Sequence, residues 1–322
     1  MSSDRFINER KNAWQRLEDL LRMLDRSSLR RLHREEVREL GRIYRRTASD
    51  LAIARAESRD PRLVNYLNSL VIRAHGRIYR ADAAEGRRRV RRFFAREFPR
   101  TFRRTWRYTA FAFGVFMLFF AFAFVATQFD AGFSEFGGVS PVGREDILRN
   151  RPRWWEDLND ANQIGASFIM VNNIWVMFRA FAYGALFGLG TLYEMARFGV
   201  HVGSILSLTY VAGYGNDLLT FMSAHGVIEL SCIFIAGGAG MLFGSAVLMP
   251  GDLSRADALR LRGGDAIRLV IGCVPLLVVA GVIEGFISPA IKFAVAGATF
   301  VALYTYLIFA GREAEAEEGG KG

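Results

Sequence analysis

Along roughly the first eighty residues, apolar positions recur every third or fourth place with Arg, Asp and Glu between them. Phe6, Trp14, Leu17, Leu20, Leu21 and Leu24 form one stripe, and Leu32, Val37, Leu40, Ile43, Tyr44 and Leu51 a second. Leu63, Tyr66, Leu67, Leu70, Val71, Ala74, Ile78 and Tyr79 form a third. That period is the mark of an amphipathic helix with one apolar face. Pro61 separates the second stripe from the third, because proline disfavours helix in the residue before it and suits a first helical turn. Three such helices in residues 1–86 are expected to bury a small shared core.

Beyond residue 107 the alternation gives way to continuous apolar runs. These are Tyr108–Gln128, Gln163–Glu194, Gly199–Val211, Gly226–Pro250, Arg268–Phe286 and Ala290–Phe309. A helix needs ~20 apolar residues to cross the hydrocarbon. The expected fold is all-α: a polytopic membrane helix bundle of about six apolar segments, the third short enough to be re-entrant. Its parts are the helical domain 1–86, a connector 87–107, the bundle 108–310 and an acidic tail 311–322.

Charge orients this bundle. Residues 1–107 hold 29 Lys and Arg against 14 Asp and Glu, so all of the chain's net +10 lies before the first span. Positive residues beside a first span stay in the cytoplasm. The N-terminus is therefore expected inside, the net-acidic segment 129–162 outside, and both the 252–268 loop and the tail inside. The first twenty residues hold no apolar run of the kind a cleaved signal carries. Ten of the 21 residues from Arg87 to Arg107 are arginine, interleaved with Phe93, Phe94, Phe98, Phe102 and Trp106. Directly before a span, that pattern reads as an interfacial helix on anionic headgroups and not as a nucleic-acid surface. Arg87, Arg88, Arg91, Arg92, Arg96, Arg103 and Arg104 are the candidate headgroup ligands. The two cysteines, Cys232 and Cys273, lie in predicted spans and read as small buried hydrophobes.

Ionisable groups within the spans carry the candidate chemistry, since each costs about 2.5–3.5 kcal/mol at a helix centre on insertion scales. His225 and Glu229 share a helix face at one turn's spacing. Glu284 ends the fifth segment, while Asn172 and Asn173 interrupt the second, with Arg179 two turns on. In the six-span topology His225, Glu229, Glu284 and the two asparagines fall in the outer leaflet. They admit several uses: a hydrogen-bonded cluster that fixes helix packing, a ligand or headgroup site, a proton relay, or a divalent metal site. His225, Glu229 and Glu284 are of the type that ligates zinc. For Arg179 an ion pair with a neighbouring helix and snorkelling are both open. Gly184/Gly188, Gly199/Gly203, Gly240/Gly244 and Gly281/Gly285 let helix backbones meet, within the chain or between copies in a homo-oligomer.

Several motifs in order carry a resemblance. Asn172-Asn173-Ile, Phe187-Gly-Leu-Gly-Thr-Leu-Tyr193, His225-Gly-Val-Ile-Glu-Leu230 with Ala236-Gly-Gly-Ala-Gly240, and Ile283-Glu-Gly-Phe-Ile-Ser-Pro289 resemble the stage II sporulation protein M family. Phe6-Ile-Asn-Glu-Arg-Lys and Tyr66-Leu-Asn resemble its extended members. Trp175 departs from the basic residue that pattern expects after Asn-Asn-Ile. The resemblance implies a multi-pass subunit of the bacterial inner membrane. It further implies work beside peptidoglycan hydrolases and, in extended members, beside a MoxR-type AAA+ ATPase. It assigns no catalytic residue. The expected role is a non-enzymatic envelope scaffold; the competing class is an intramembrane enzyme or transporter built on His225, Glu229 and Glu284.

Overall fold

The computed structural model describes residues 3–26, 34–57, 60–150, 153–155, 163–286 and 291–312. Leu32, Ser288, Pro289 and most of the acidic tail lie outside it, as do the side chains of Leu24, Val37, Ile78, Tyr79 and Glu284. The described residues are mainly helical, with no strand among them. They divide into two units, Met1–Arg92 and Phe93–Gly322.

The first unit holds α1 (Ser3–Arg26), α2 (Arg34–Glu57) and α3 (Pro61–Arg92). The three stripes meet: Trp14, Leu17, Leu20, Leu40, Leu67 and Leu70 share one buried core. Asp50 is buried among them, accepts a hydrogen bond from Trp14 Nε1 at 2.8 Å and pairs with Arg10. A carboxylate can sit in such a core because both of its oxygens are engaged. Tyr66 lies at the edge of the stripe, partly exposed, and its hydroxyl donates to Glu18.

The second unit opens on a π-helical turn, Phe93–Glu97, followed by α4 (Phe98–Phe129). The short α5 (Pro141–Glu145) lies in the polar segment. Then come α6 (Gln163–Ala182), α7 (Leu189–Val211), α8 (Gly215–Leu248), α9 (Arg255–Phe286) and α10 (Lys292–Phe309). Four helices, those ending with α4, α8, α9 and α10, are long and apolar enough to cross a membrane among the described residues. Their burial differs sharply: 78% of the apolar stretch of α8 is inside the protein, against 17% for α4 and α10. α8 is the axis and the others are its jacket. The exposed Phe111, Leu118, Phe122 and Val125 on α4 are what a lipid-facing surface requires.

Two boundaries differ from the sequence reading. The second and third apolar segments do not part at 194–199. The break lies at the 3₁₀ turn Tyr183–Ala185 and the left-handed pair Phe187 (φ 54°) and Gly188 (φ 81°). The short segment Gly199–Val211 is thus the second half of the 23-residue α7 and not a re-entrant piece. Hydropathy alone hid this turn because it is built from Tyr, Ala, Leu and Phe. Likewise α9 starts at Arg255, so the expected loop 252–268 is mostly helix.

The glycine pairs work within the chain. A side chain on Gly184 would strike the backbone of Gly240, and one on Gly244 the backbone of Gly188, so the α6–α7 turn rests directly on α8. Gly199 and Gly203 face the carbonyls of Phe116 and Phe120, which sets α7 parallel to α4 at backbone contact. Cys232 and Cys273 are both buried thiols, as expected. Gly203→Ala should therefore destabilise by roughly 1–3 kcal/mol through overpacking. Gly114→Ala, with open space around it, should be neutral or stabilise by up to ~1 kcal/mol through helix propensity. Thermal unfolding of both in one detergent measures the contrast.

Candidate functional site

The candidate site is built on the N-terminal half of α8. Phe221, His225 and Glu229 follow at four-residue spacing and so lie along one face. His225 and Glu229 are 3% and 5% exposed, and His225 Nε2 lies 3.8 Å from Glu229 Oε2. The Phe221 ring meets the imidazole edge-on at 5.7 Å. From the start of α10, Lys292 reaches the same face. It is 2% exposed, donates to the Phe221 carbonyl at 3.3 Å and holds its ammonium 4.8 Å from the Phe221 ring centroid. An imidazole, a carboxylate and an ammonium thus share two turns of a buried helix face. Lower down, the Ser231 and Tyr304 hydroxyls are 3.2 Å apart.

Glu284 enters through helix register. α8 and α9 run antiparallel and meet where Cys232 Sγ lies 3.7 Å from the Cys273 carbonyl. Phe221 is eleven residues before Cys232 and Glu284 eleven beyond Cys273, so their backbones fall at one level, that of Lys292. His225 and Glu229 lie one and two turns deeper. The Glu284 side chain is outside the described residues. Among the described residues no three His, Cys, Asp or Glu gather as a metal site; His225 and Glu229 supply two donors of the zinc type.

The remaining candidates separate. Asn172 is exposed on α6 and Asn173 half-buried. Met170, just before them, packs on Gly281 of α9. Arg179 crosses the α6–α7 turn to Glu194, donating from Nε at 2.7 Å. Glu194 is fully buried, and Arg197 binds its other side at 3.0 and 2.8 Å. One carboxylate is thus closed by two guanidinium groups: Arg197 takes both oxygens as a fork, the arrangement in which arginine binds most strongly, and Arg179 adds its contact to Oε1.

In the connector, Arg87, Arg88, Arg91, Arg92 and Arg96 are exposed, but Arg103 and Arg104 have internal partners. Arg103 donates to the carbonyls of Leu307 and Ala310 at 3.1 and 2.8 Å, capping α10. Arg104, together with Arg268, closes the buried carboxylate of Asp265. Phe98 and Phe102 belong to the bundle core. Arg262 does for α8 what Arg103 does for α10, donating to the Ser245 and Met249 carbonyls at 3.0 and 2.8 Å. A cation at a helix C-terminus satisfies carbonyls with no partner inside the helix and opposes the dipole.

Three participants escaped the sequence reading: Lys292, Glu194 and Asp265. Each left a signal. Lys292 is one of only three lysines among 42 basic residues. Glu194 and Arg197 stand three apart between two apolar runs, and Asp265 and Arg268 three apart at the start of another.

These features define an all-α polytopic membrane protein with a separate helical unit ahead of its bundle. The chain belongs to the Stage II sporulation protein M family, whose model matches residues 109–289. Residues 4–80 match a Domain of unknown function (DUF8413). Neither a curated protein nor a solved structure matches the chain.

The ion-pair geometry gives a ranked expectation. Glu194→Gln leaves two guanidinium groups facing an amide, and should destabilise toward the low end of the ~3–5 kcal/mol for a broken buried pair, the arginines being about one-third exposed. Arg197→Gln should cost less, because Arg179 still neutralises Glu194. Denaturation of both variants, with Arg179→Gln completing the series, tests the order.

Proposed function

We propose that this chain is an integral membrane scaffold subunit of a cell-envelope or peptidoglycan-remodelling complex, set in the bacterial inner membrane with its N-terminus in the cytoplasm. The first unit would receive a cytoplasmic partner, such as a MoxR-type AAA+ ATPase. The bundle and the 129–162 segment would position extracytoplasmic proteins such as peptidoglycan hydrolases. One observation carries this reading: the buried carboxylates Glu194 and Asp265 are each closed by two arginines, one from the same helix and one that ties in a neighbouring helix. Such groups are committed to holding a shape. Family membership supports the membrane setting, and the arginine excess before α4 supports the orientation.

A second reading rests on the face of α8. His225, Glu229 and Lys292 are buried together on two helices, and intramembrane ionisable groups mark ligand or proton pathways in many membrane proteins. On this reading the cluster, completed by Glu284, forms an intramembrane binding or catalytic centre that takes zinc or passes a proton.

Capture from mild detergent followed by mass spectrometry tests the scaffold. Envelope proteins should co-purify reproducibly with the full chain, and removal of residues 1–86 should release the cytoplasmic ones alone. A chain that purifies without partners, but with one zinc ion lost in His225→Ala and Glu229→Gln, decides for the second reading. Orientation has its own test. Val142→Cys should react with a membrane-impermeant thiol reagent from outside intact cells, and Asp252→Cys only after permeabilisation. Both sites are exposed, and the two native thiols are buried.

A further inference from the structure

A cleft of about 1070 Å³ opens between α4, α8 and α10. Its floor is one face of α8, with Leu219, Gly226, Leu230 and Phe234 at helical spacing; Phe113 of α4 and Phe300 of α10 form its walls. From Leu219 to Phe234 at 1.5 Å per residue, the α8 floor is about 22 Å long. Its two ends differ. Arg103, Arg312 and Trp106 stand at the end where α4 begins and α10 finishes, while the rest of the lining is uncharged and mainly apolar, with the hydroxyls of Thr109, Ser223, Ser231 and Tyr304 among it. Arg103 is fixed there by the two α10 carbonyls, and the Arg312 guanidinium sits 5.0 Å from the Phe309 ring centroid.

We propose that this cleft binds one anionic phospholipid, its acyl chains along α8 and its phosphate against Arg103 and Arg312. A long apolar slot with guanidinium groups at one end matches an amphiphile with a negative head. Arginine forks fit phosphate oxygens, and basic pockets between membrane helices hold acidic headgroups. Acyl chains conform to such a floor, and charge selects the occupant, since the guanidinium groups stand at one end alone. Gly226 keeps that floor open, for a Cβ there would meet nothing within 4 Å. The site does not depend on the scaffold reading, nor on the exposed arginines of the connector.

Native mass spectrometry of the full chain in detergent tests it, with dioleoyl phosphatidylglycerol, dioleoyl phosphatidylcholine or inorganic phosphate added. One phosphatidylglycerol should be retained per chain, preferred over phosphatidylcholine at least 5-fold. Arg312→Gln, at an exposed end where folding is not at stake, should reduce that preference at least 3-fold. Gly226→Leu fills the cleft and should lower retention of both lipids at least 3-fold; Ala296→Phe does the same from the α10 wall should the first variant fail to fold. Inorganic phosphate should not displace the lipid. The proposal is overturned by a chain that retains no phospholipid, by retention indifferent to both filling variants, or by displacement with phosphate alone. A photo-crosslinker at Leu230 that captures a protein instead of lipid also overturns it.

Discussion

Glycine brings the backbones of this bundle together where lipid offers no hydrophobic push between helices. Because Gly184 lies on Gly240 and Gly188 beside Gly244, the α6–α7 turn is pinned to one level of α8. That level fixes where Thr191 reaches the Ala180 carbonyl and where Arg179 meets Glu194. Gly199 and Gly203 then place α7 against α4, leaving Gln128 within reach of Ser207. Shift the α6–α7 turn by the width of a methyl group and Glu194 loses the partner that reaches it from α6, which hydrocarbon cannot replace. Packing comes first and electrostatics is fitted to it.

The cationic side chains divide their labour in a way composition does not reveal. Some arginines close carboxylates, two terminate helices by taking up end carbonyls, and those from Arg87 to Arg96 remain on the surface. A positive residue next to a span is usually credited to orientation. Here Arg103, Arg104 and Arg262 are also joints between α4, α8, α9 and α10. Reading them only as headgroup ligands understates how far the edge of the bundle is an electrostatic seam.

Much of the architecture was legible because membrane helices must be long, apolar and internally bonded. The stripes of the first unit, from Phe6 through Leu70, were legible for the equally simple reason that one helix face must be buried. The α6–α7 turn was not, since Phe187 and its neighbours are as apolar as the helices they join. His225 and Glu229 could be paired from their spacing alone. Lys292 could not, because its place beside Phe221 depends on how α10 returns across α8, a tertiary matter with no local signature. Glu194 was overlooked for a related reason: at the edge of an apolar run a carboxylate looks like an interface residue until a second helix supplies the arginine.

The clasp between Arg179 and Glu194 has a consequence for how the protein is made. Arg179 is the one charged residue of α6, whereas Glu194 already has Arg197 in its own helix, and an isolated ionised group in hydrocarbon is costly, by about 2.5–3.5 kcal/mol at mid-depth. Across a turn of so few residues the two charges can neutralise each other as soon as both helices exist. α6 and α7 are therefore joined as one unit before α8 is made: the clasp closes across their turn, and the pair docks on α8 when that later-made helix arrives with its glycines.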